Sequence, residues 1–294
     1  MLFHSIQFAV FFAITYALYA SLKHRAQNRL FLFASYLFYA SWDWRFLSLI
    51  MITTLTDFLC AKAIEARSDK AVRKRFVAVS CVINLSILGV FKYFDFFVDS
   101  FVDLFSVFGW NVQGPALSII LPVGISFYTF QSISYTIDVY RKQMKPAQNL
   151  LDYALFVSLF PQLIAGPIER GKTLMPQILA KRTIEFDKVR AGIFLICFGL
   201  FKKLFIADNL GVIVDPIFMP GADISGALVL IGGYAFLFQI YCDFSAYTDI
   251  ARGVSKLMGF ELMENFRAPF MARNIQDFWN RWHISLTTWV RDYL

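Results

Sequence analysis

Long apolar runs recur from residue 5 to residue 260, and short basic clusters separate them. A helix needs about 20 apolar residues to cross ~30 Å of hydrocarbon, and fewer where its ends are buried in protein. By that ruler the candidate membrane segments are roughly 5–22, 30–41, 45–61, 76–92, 117–139, 150–165, 191–207 and 226–242. A ninth, 244–260, is weaker because Asp249, Arg252 and Lys256 interrupt it. The 30–41 run is short and ends at Trp42-Asp43-Trp44-Arg45, where tryptophans suit a membrane interface. Composition points the same way: 58% of residues are hydrophobic and 17% charged, against about 45–50% and ~25% in a soluble globule. The expectation is an all-α, multi-pass transmembrane bundle of about eight or nine segments, some short or re-entrant.

The Lys and Arg placement orients this bundle. Residues 62–75 carry Lys62, Arg67, Lys70, Arg73, Lys74 and Arg75 against Glu65 and Asp69. Such a cluster marks a cytoplasmic loop. Arg141, Lys142 and Lys145 mark a second, and Lys181, Arg182, Lys188 and Arg190 a third. Each also reads as a solvated loop with no ligand. The net charge of +7 resides in these clusters, so it argues against nucleic acid as a partner. No Lys or Arg precedes the first apolar run, unlike a cleaved signal peptide. That run reads as a retained helix with its N-terminus outside. Cys60, Cys81, Cys197 and Cys242 lie far apart, without ligand spacing, and read as small packing residues.

Three stretches depart from a plain span. Residues 93–112 alternate aromatic residues with Asp95, Asp99 and Asp103, which share one helical face and suit a helix lying flat on the outer surface. Leu121-Pro122-Val123-Gly124 breaks one apolar run, and Pro161 through Pro167 ends another. Irregular backbone at membrane depth is tolerated only against protein or a water-filled cavity, so re-entrant segments explain both breaks. An ordinary proline kink or helix end explains either one alone. With no repeat or low-complexity tract, residues 1–294 read as a single membrane-embedded domain.

Three constellations carry potential chemistry. If 275–293 is one helix, Asn280, Thr287 and Arg291 lie within about 20° of one direction. Asp277, Thr288 and His283 flank that line, and Phe278, Trp282 and Trp289 point the opposite way. Such a polar stripe should face a cavity, because charges facing lipid are costly. His283 is its natural proton handler, with an unperturbed pKa of about 6.5; a structural histidine is the alternative. The second constellation, Gln239 to Asp249, places Asp243 and Asp249 at or just below the membrane surface. Intramembrane carboxylates are functional candidates, or they cap a helix and pair with Arg252 or Arg267. In the third, Tyr128, Gln131 and Tyr135 share a helical face leading to Asp138. They line a polar channel or bond to neighbouring helices. No GxSxG, Walker A, GxGxxG or HExxH occurs, and no residues are assigned to a metal.

These stretches resemble the membrane-bound O-acyltransferase family. The resemblance is closest to the bacterial branch that includes the alginate O-acetyltransferase membrane subunit and the teichoic-acid D-alanylation membrane protein. LPVGISFYTFQSISYTIDVYR (121–141), FPQLIAGPIER (160–170), QIYCDFSAYTDIARG (239–253), LMGFELMENFRAPF (257–270) and DFWNRWHISLTTWVRDYL (277–294) carry it. The resemblance implies a helical shell around a central funnel in a bacterial cytoplasmic membrane. It implies His283, in Arg281-Trp282-His283-Ile284-Ser285, as the first of two family histidines. The second, usually regarded as the catalytic one and set in a Trp-His-Gly context tens of residues later, has no counterpart before Leu294, so the chain reads as an N-terminal part that alone does not turn over.

The implied chemistry is acyl transfer to a hydroxyl, with a histidine taking the proton and donors holding the oxyanion. The donor would be acyl-CoA or another acyl thioester on the cytoplasmic side, with no bound cofactor. The acceptor would be an exported polysaccharide or an extracytoplasmic relay protein, and the lipid bilayer is the remaining partner. With His283 as catalytic candidate, the substrate-binding candidates are Asp277, Asn280, Arg281, Thr287, Arg291, Gln131, Tyr241, Asp243 and Asp249. An inactive fragment and a membrane transporter or export component remain as alternatives.

Overall fold

A computed structural model describes residues 1–110, 120–219 and 224–294, and among them every regular element is helical. The order is α1 (Ile6–Ser21), α2 (His24–Asp43), α3 (Leu47–Ala66), α4 (Lys70–Val107), α5 (Ile125–Tyr140), α6 (Leu150–Ser158), α7 (Phe160–Leu163) and α8 (Gly171–Leu179). Then come α9 (Phe186–Leu200), a π-helical turn (Phe201–Ala207), α10 (Asp208–Ile217), α11 (Gly226–Leu257), α12 (Ile275–Arg281) and α13 (Ile284–Tyr293). Three stretches are long and apolar enough to cross a membrane: His24–Ala66, Lys70–Val107 and Gly226–Leu257. The first contains both α2 and α3, joined at Asp43, where the backbone leaves the helical region (φ −158°, ψ 112°).

Several segment boundaries differ from those expected. The 30–41 run belongs to a 20-residue helix, α2, because His24 to Leu30 extends it with polar side chains that pair elsewhere. Asn28, for instance, donates to Asp152 and to the Ile178 carbonyl. Residues 93–107 are not a separate surface helix; they continue α4, which runs for 38 residues. An i, i+4 run of aspartates fits either arrangement, since both are helical. The 226–242 and 244–260 segments are likewise one helix, α11, because Asp249 finds partners across the helix pair and does not stop it. Residues 111–112 and 117–119 of the expected segments lie outside the described residues.

Contacts align α4 antiparallel to α5. Arg73 donates to the Tyr140 carbonyl, Ser80 to Thr136, and Lys92 to Ser126. The basic loops therefore gather at one end of the bundle. From that end α6 enters, the chain turns at Leu159, and α8 returns to the same end. Phe160 at the tip packs 5.3 Å from Phe11 and 5.7 Å from Phe38, between α1 and α2. The Phe160 amide donates to Ser35 Oγ, and Gln131 and Gln162 both donate to the Phe156 carbonyl. Side chains thus satisfy the polar groups that the break exposes, as a buried re-entrant segment requires.

The two breaks meet. Gly124 ends the Pro122 break with φ +77°, and a Cβ there would lie 2.2 Å from the Leu163 carbonyl oxygen. Only glycine permits both the left-handed backbone and that approach.

The continuous helix of α9, the π turn and α10 lies antiparallel to α11. A Cβ on Gly192 would meet the Gly253 carbonyl oxygen at 2.8 Å, and one on Gly253 would meet the Gly192 carbonyl oxygen at 2.6 Å. Small residues bring helix backbones together in this way where lipid supplies no hydrophobic drive between helices.

Candidate functional site

The expected single helix over 275–293 is two helices. Asn274 caps α12 by accepting from the Asp277 amide at 2.8 Å, and α12 ends at Arg281. His283 then adopts the left-handed conformation (φ 43°, ψ 53°) and starts α13. Histidine populates that region more readily than bulky residues do. A short ladder holds the turn: the Arg267 amide donates to the Arg281 carbonyl and the Ile284 amide to the Asn265 carbonyl, each at 3.0 Å. The Ser285 amide donates to Asn265 Oδ1 at 3.1 Å. Asn265, 1% exposed, therefore satisfies two amides at the α13 N-terminus, where helices leave donors unpaired.

The break redirects the imidazole. His283 sits in an aromatic cage, with its ring centroid 4.7 Å from Phe244, 6.3 Å from Phe127 and 6.5 Å from Phe266. Its Nε2 is buried and has no hydrogen-bond partner. His283 lies outside the three spanning stretches, and burial pushes its pKa down to about 4. The ring is therefore neutral near pH 7 and has a nitrogen free to act as a base.

Trp289 turns inward, not outward as the single-helix reading has it. It is 5% exposed, and its Nε1 donates to the Phe130 carbonyl at 2.9 Å. Further along, the Tyr293 hydroxyl donates to Asp138 Oδ1 at 2.8 Å. Arg141 and Arg170 lie 5.5 and 4.9 Å from the Tyr293 ring centroid, and Arg141 also donates to the Asp292 carbonyl. His283, Trp289 and Tyr293 thus meet Phe127, Phe130 and Asp138 in turn, so α13 runs parallel to α5.

The expected polar stripe is dispersed by this break. Asp277 and Arg281 pair with each other at 2.8 Å, and the guanidinium holds the Asp277 carboxyl below its ordinary range. Asn280 and Arg291 are exposed. Thr287 donates to the Trp282 carbonyl. Gln131, 3% exposed, is engaged at the α6–α7 break. Tyr241 packs on Phe266, Phe270 and Trp282 one helical turn from Phe244, so it forms part of the same aromatic wall.

Asp243 and Asp249 meet the π turn. Lys202 donates to Asp249 Oδ2 at 2.6 Å and to Ser245 Oγ at 2.8 Å. Lys203 donates to Asp243 Oδ1 at 2.6 Å and pairs with Asp208 at 2.8 Å. Arg252 links Asp249 to Glu264, which also holds Arg267. A chain of ion pairs thus reaches from the π turn to the segment that carries Asn265. Single π turns in longer helices often mark functional sites.

Lys202, Lys203 and Asn265 of this centre are not among the residues that the sequence singles out. Lys202 had a signal, two adjacent lysines inside an apolar run. Asn265 had none beyond its place in the 257–270 stretch. Among the described residues no group of His, Cys, Asp and Glu gathers to hold a metal.

Fold and site define a membrane protein, all-helical among the described residues, with a half-buried neutral histidine at a helix break. Residues 142–294, about half of the chain, match the membrane-bound O-acyltransferase (MBOAT) family, and the chain belongs to that family. It is 43% identical to the probable alginate O-acetylase AlgI of Pseudomonas aeruginosa, over 97% of this chain and 54% of that protein. The peptidoglycan O-acetyltransferase of Helicobacter pylori is 35% identical over 94% of this chain and 57% of its own length. The teichoic acid D-alanyltransferase of Bacillus subtilis is 36% identical over 61% and 46%. The chain spans about half the length of these relatives.

Proposed function

We propose that this chain forms the His283 portion of a membrane O-acyltransferase centre. The reaction moves an acetyl or other short acyl group from a thioester, acyl-CoA or another acyl carrier, to a hydroxyl of an exported polysaccharide or cell-envelope polymer, directly or through a relay protein. The observation that carries this reading is the half-buried, neutral His283 with an inaccessible, unpartnered Nε2, in a stretch that matches the family. A neutral imidazole accepts the hydroxyl proton as attack begins. The relatives, a probable alginate O-acetylase and a peptidoglycan O-acetyltransferase, favour a polymer hydroxyl as acceptor.

Residues 1–294 form one membrane-embedded domain in a bacterial cytoplasmic membrane, with the basic end in the cytoplasm and the N-terminus outside. It has eight membrane segments around a funnel: α1 to α5, the re-entrant 150–179 hairpin, α9–α10 and α11. The aromatic wall of Tyr241, Phe244 and Phe266 lines the acyl path, and Asp243 and Asp249 hold the π turn against it. The test uses the protein purified from its native membranes in proteoliposomes with labelled acetyl-CoA and a hydroxyl-bearing glycan oligomer. His283→Ala should lower acetyl transfer about 10²- to 10⁴-fold. Undiminished transfer by that variant would overturn the reading.

A further inference from the structure

We infer that the basic end of the bundle carries a binding site for an anionic phospholipid, a headgroup pocket and an acyl-chain groove that meet at Leu151. None of its lining residues belongs to the His283 turn. The site is independent of acyl transfer; only its leaflet follows from the orientation proposed above.

The headgroup pocket is a cavity of about 530 Å³ at the start of α2, beside the start of α6 and the end of α8. Arg25 and Arg29, one turn apart on α2, and Lys181 line it with three cations. Asp152 is the single carboxylate of the lining, and Asn28 Nδ2 donates to its Oδ1 at 3.2 Å. Arg182 adds a fourth cation next to the lining, where its Nη2 donates to Asn28 Oδ1 at 2.7 Å. Among the described residues, none of Arg25, Arg29, Lys181 and Arg182 forms an ion pair. The first turn of α2 has no acidic residue and no side-chain cap, so its amides add to the positive end. An excess of cations at a helix start suits phosphate oxygens.

A second cavity, of about 360 Å³, continues from the first, and Leu151 lines both. Its walls include Leu32 and Tyr36 on α2, Met51 and Leu55 on α3, and Ala154 on α6. Met51, Leu55 and Leu151 are about half exposed, so this groove opens on the side of the bundle, where hydrocarbon would lie. Arg25, Arg29, Leu32 and Tyr36 follow one face of α2. At 1.5 Å per residue, Tyr36 lies about 16 Å along the helix from Arg25. A cationic pocket at the level of the loops is therefore continuous with an apolar groove at the level of the hydrocarbon. A phospholipid has the same division. A soluble phosphate leaves the groove unused, and a zwitterionic lipid brings a cation that the arginines repel.

Each Lys or Arg near an anionic membrane surface strengthens binding about fivefold. The protein purified from its native membranes is delipidated in detergent and titrated with dioleoyl phosphatidylglycerol, dioleoyl phosphatidylcholine or glycerol phosphate. Native mass spectrometry counts the bound molecules. Phosphatidylglycerol should bind tightest. Changing Arg25→Gln and Arg29→Gln together should weaken it about 25-fold and shift phosphatidylcholine less than about threefold. Both arginines are exposed, so the fold should persist. Met51→Trp, which fills the groove from its open side, should weaken phosphatidylglycerol and leave glycerol phosphate unchanged. Equal affinity for the two lipids, or native-like binding of phosphatidylglycerol by the double variant, would overturn the headgroup pocket. Glycerol phosphate binding as tightly as phosphatidylglycerol would assign the pocket to a soluble phosphate and overturn the lipid site. Native-like binding of phosphatidylglycerol by Met51→Trp would overturn the acyl-chain groove.

Discussion

Gly124→Ala tests whether the two chain breaks hold each other. The new methyl would meet three backbone atoms: the Leu163 carbonyl oxygen at 2.2 Å, its carbon at 3.2 Å and Ile164 Cα at 3.3 Å. Backbone cannot rotate aside, so the α7 segment must shift. Overpacking of this kind costs about 1–3 kcal/mol. The left-handed backbone adds about 1–2 kcal/mol for a residue with a Cβ. The sum is about 2–5 kcal/mol. At ~2 °C per kcal/mol for a chain of this size, the melting temperature should fall by about 4–10 °C. Gly89→Ala on α4 is the control, because a Cβ there meets nothing within 4 Å. It should hold or gain stability, as helical Gly→Ala gains up to ~1 kcal/mol. The assay is size-exclusion of detergent-solubilised protein after stepwise heating. A Gly124→Ala protein that melts within about 1 °C of native would refute the argument.

Two further outcomes follow from the charges. Lys202→Met strips a mostly buried Asp249 of its 2.6 Å partner, and breaking a buried pair costs about 3–5 kcal/mol. Lys203→Met, whose partner Asp243 is 43% exposed, should cost about 1 kcal/mol or less; equal melting shifts for the two would contradict the assigned burial. For His283 the folded pKa of about 4 lies below the ordinary 6.5, so between those values the unfolded chain binds a proton that the folded chain does not. Stability therefore falls as pH drops through that window. From pH 7 to 5 the native protein should lose about 2 kcal/mol relative to His283→Ala, at ~1.4 kcal/mol per pH unit; parallel melting curves across that range would show the imidazole to be solvated. The acid limb of acyl transfer should likewise lie near pH 4, and a limb near 6.5 would show the same.

What the sequence disclosed depended on whether the cause was local. The breaks at Pro122–Gly124 and Pro161–Pro167 were legible because proline and glycine act on their own backbone. The helical membrane class was legible because it follows from the length of apolar runs. The break at His283 was not, because no glycine or proline marks it. It is imposed by Asn265, eighteen positions earlier, through the Ile284 and Ser285 amides. Reading 275–293 as one helix therefore turns Trp289 outward, whereas it is buried against α5. Arg252, three positions on, is a partner of Asp249 as expected, but the lysine partners of Asp243 and Asp249 were missed for a related reason. Lys202 and Lys203 were visible in the apolar run, but pairing them required knowing that α9–α10 folds back on α11.

The parallel run of α13 beside α5 sets a reach. His283 lies level with Phe127, and Tyr293 is clamped at Asp138 by Arg141 and Arg170. Eleven residues of α5 separate those levels, or about 16 Å at 1.5 Å per residue. Because the helix is held at both ends, that depth does not adjust. On the proposed transferase reading, an acyl donor entering from the Arg141 end has about that depth to cover before its carbon reaches the imidazole.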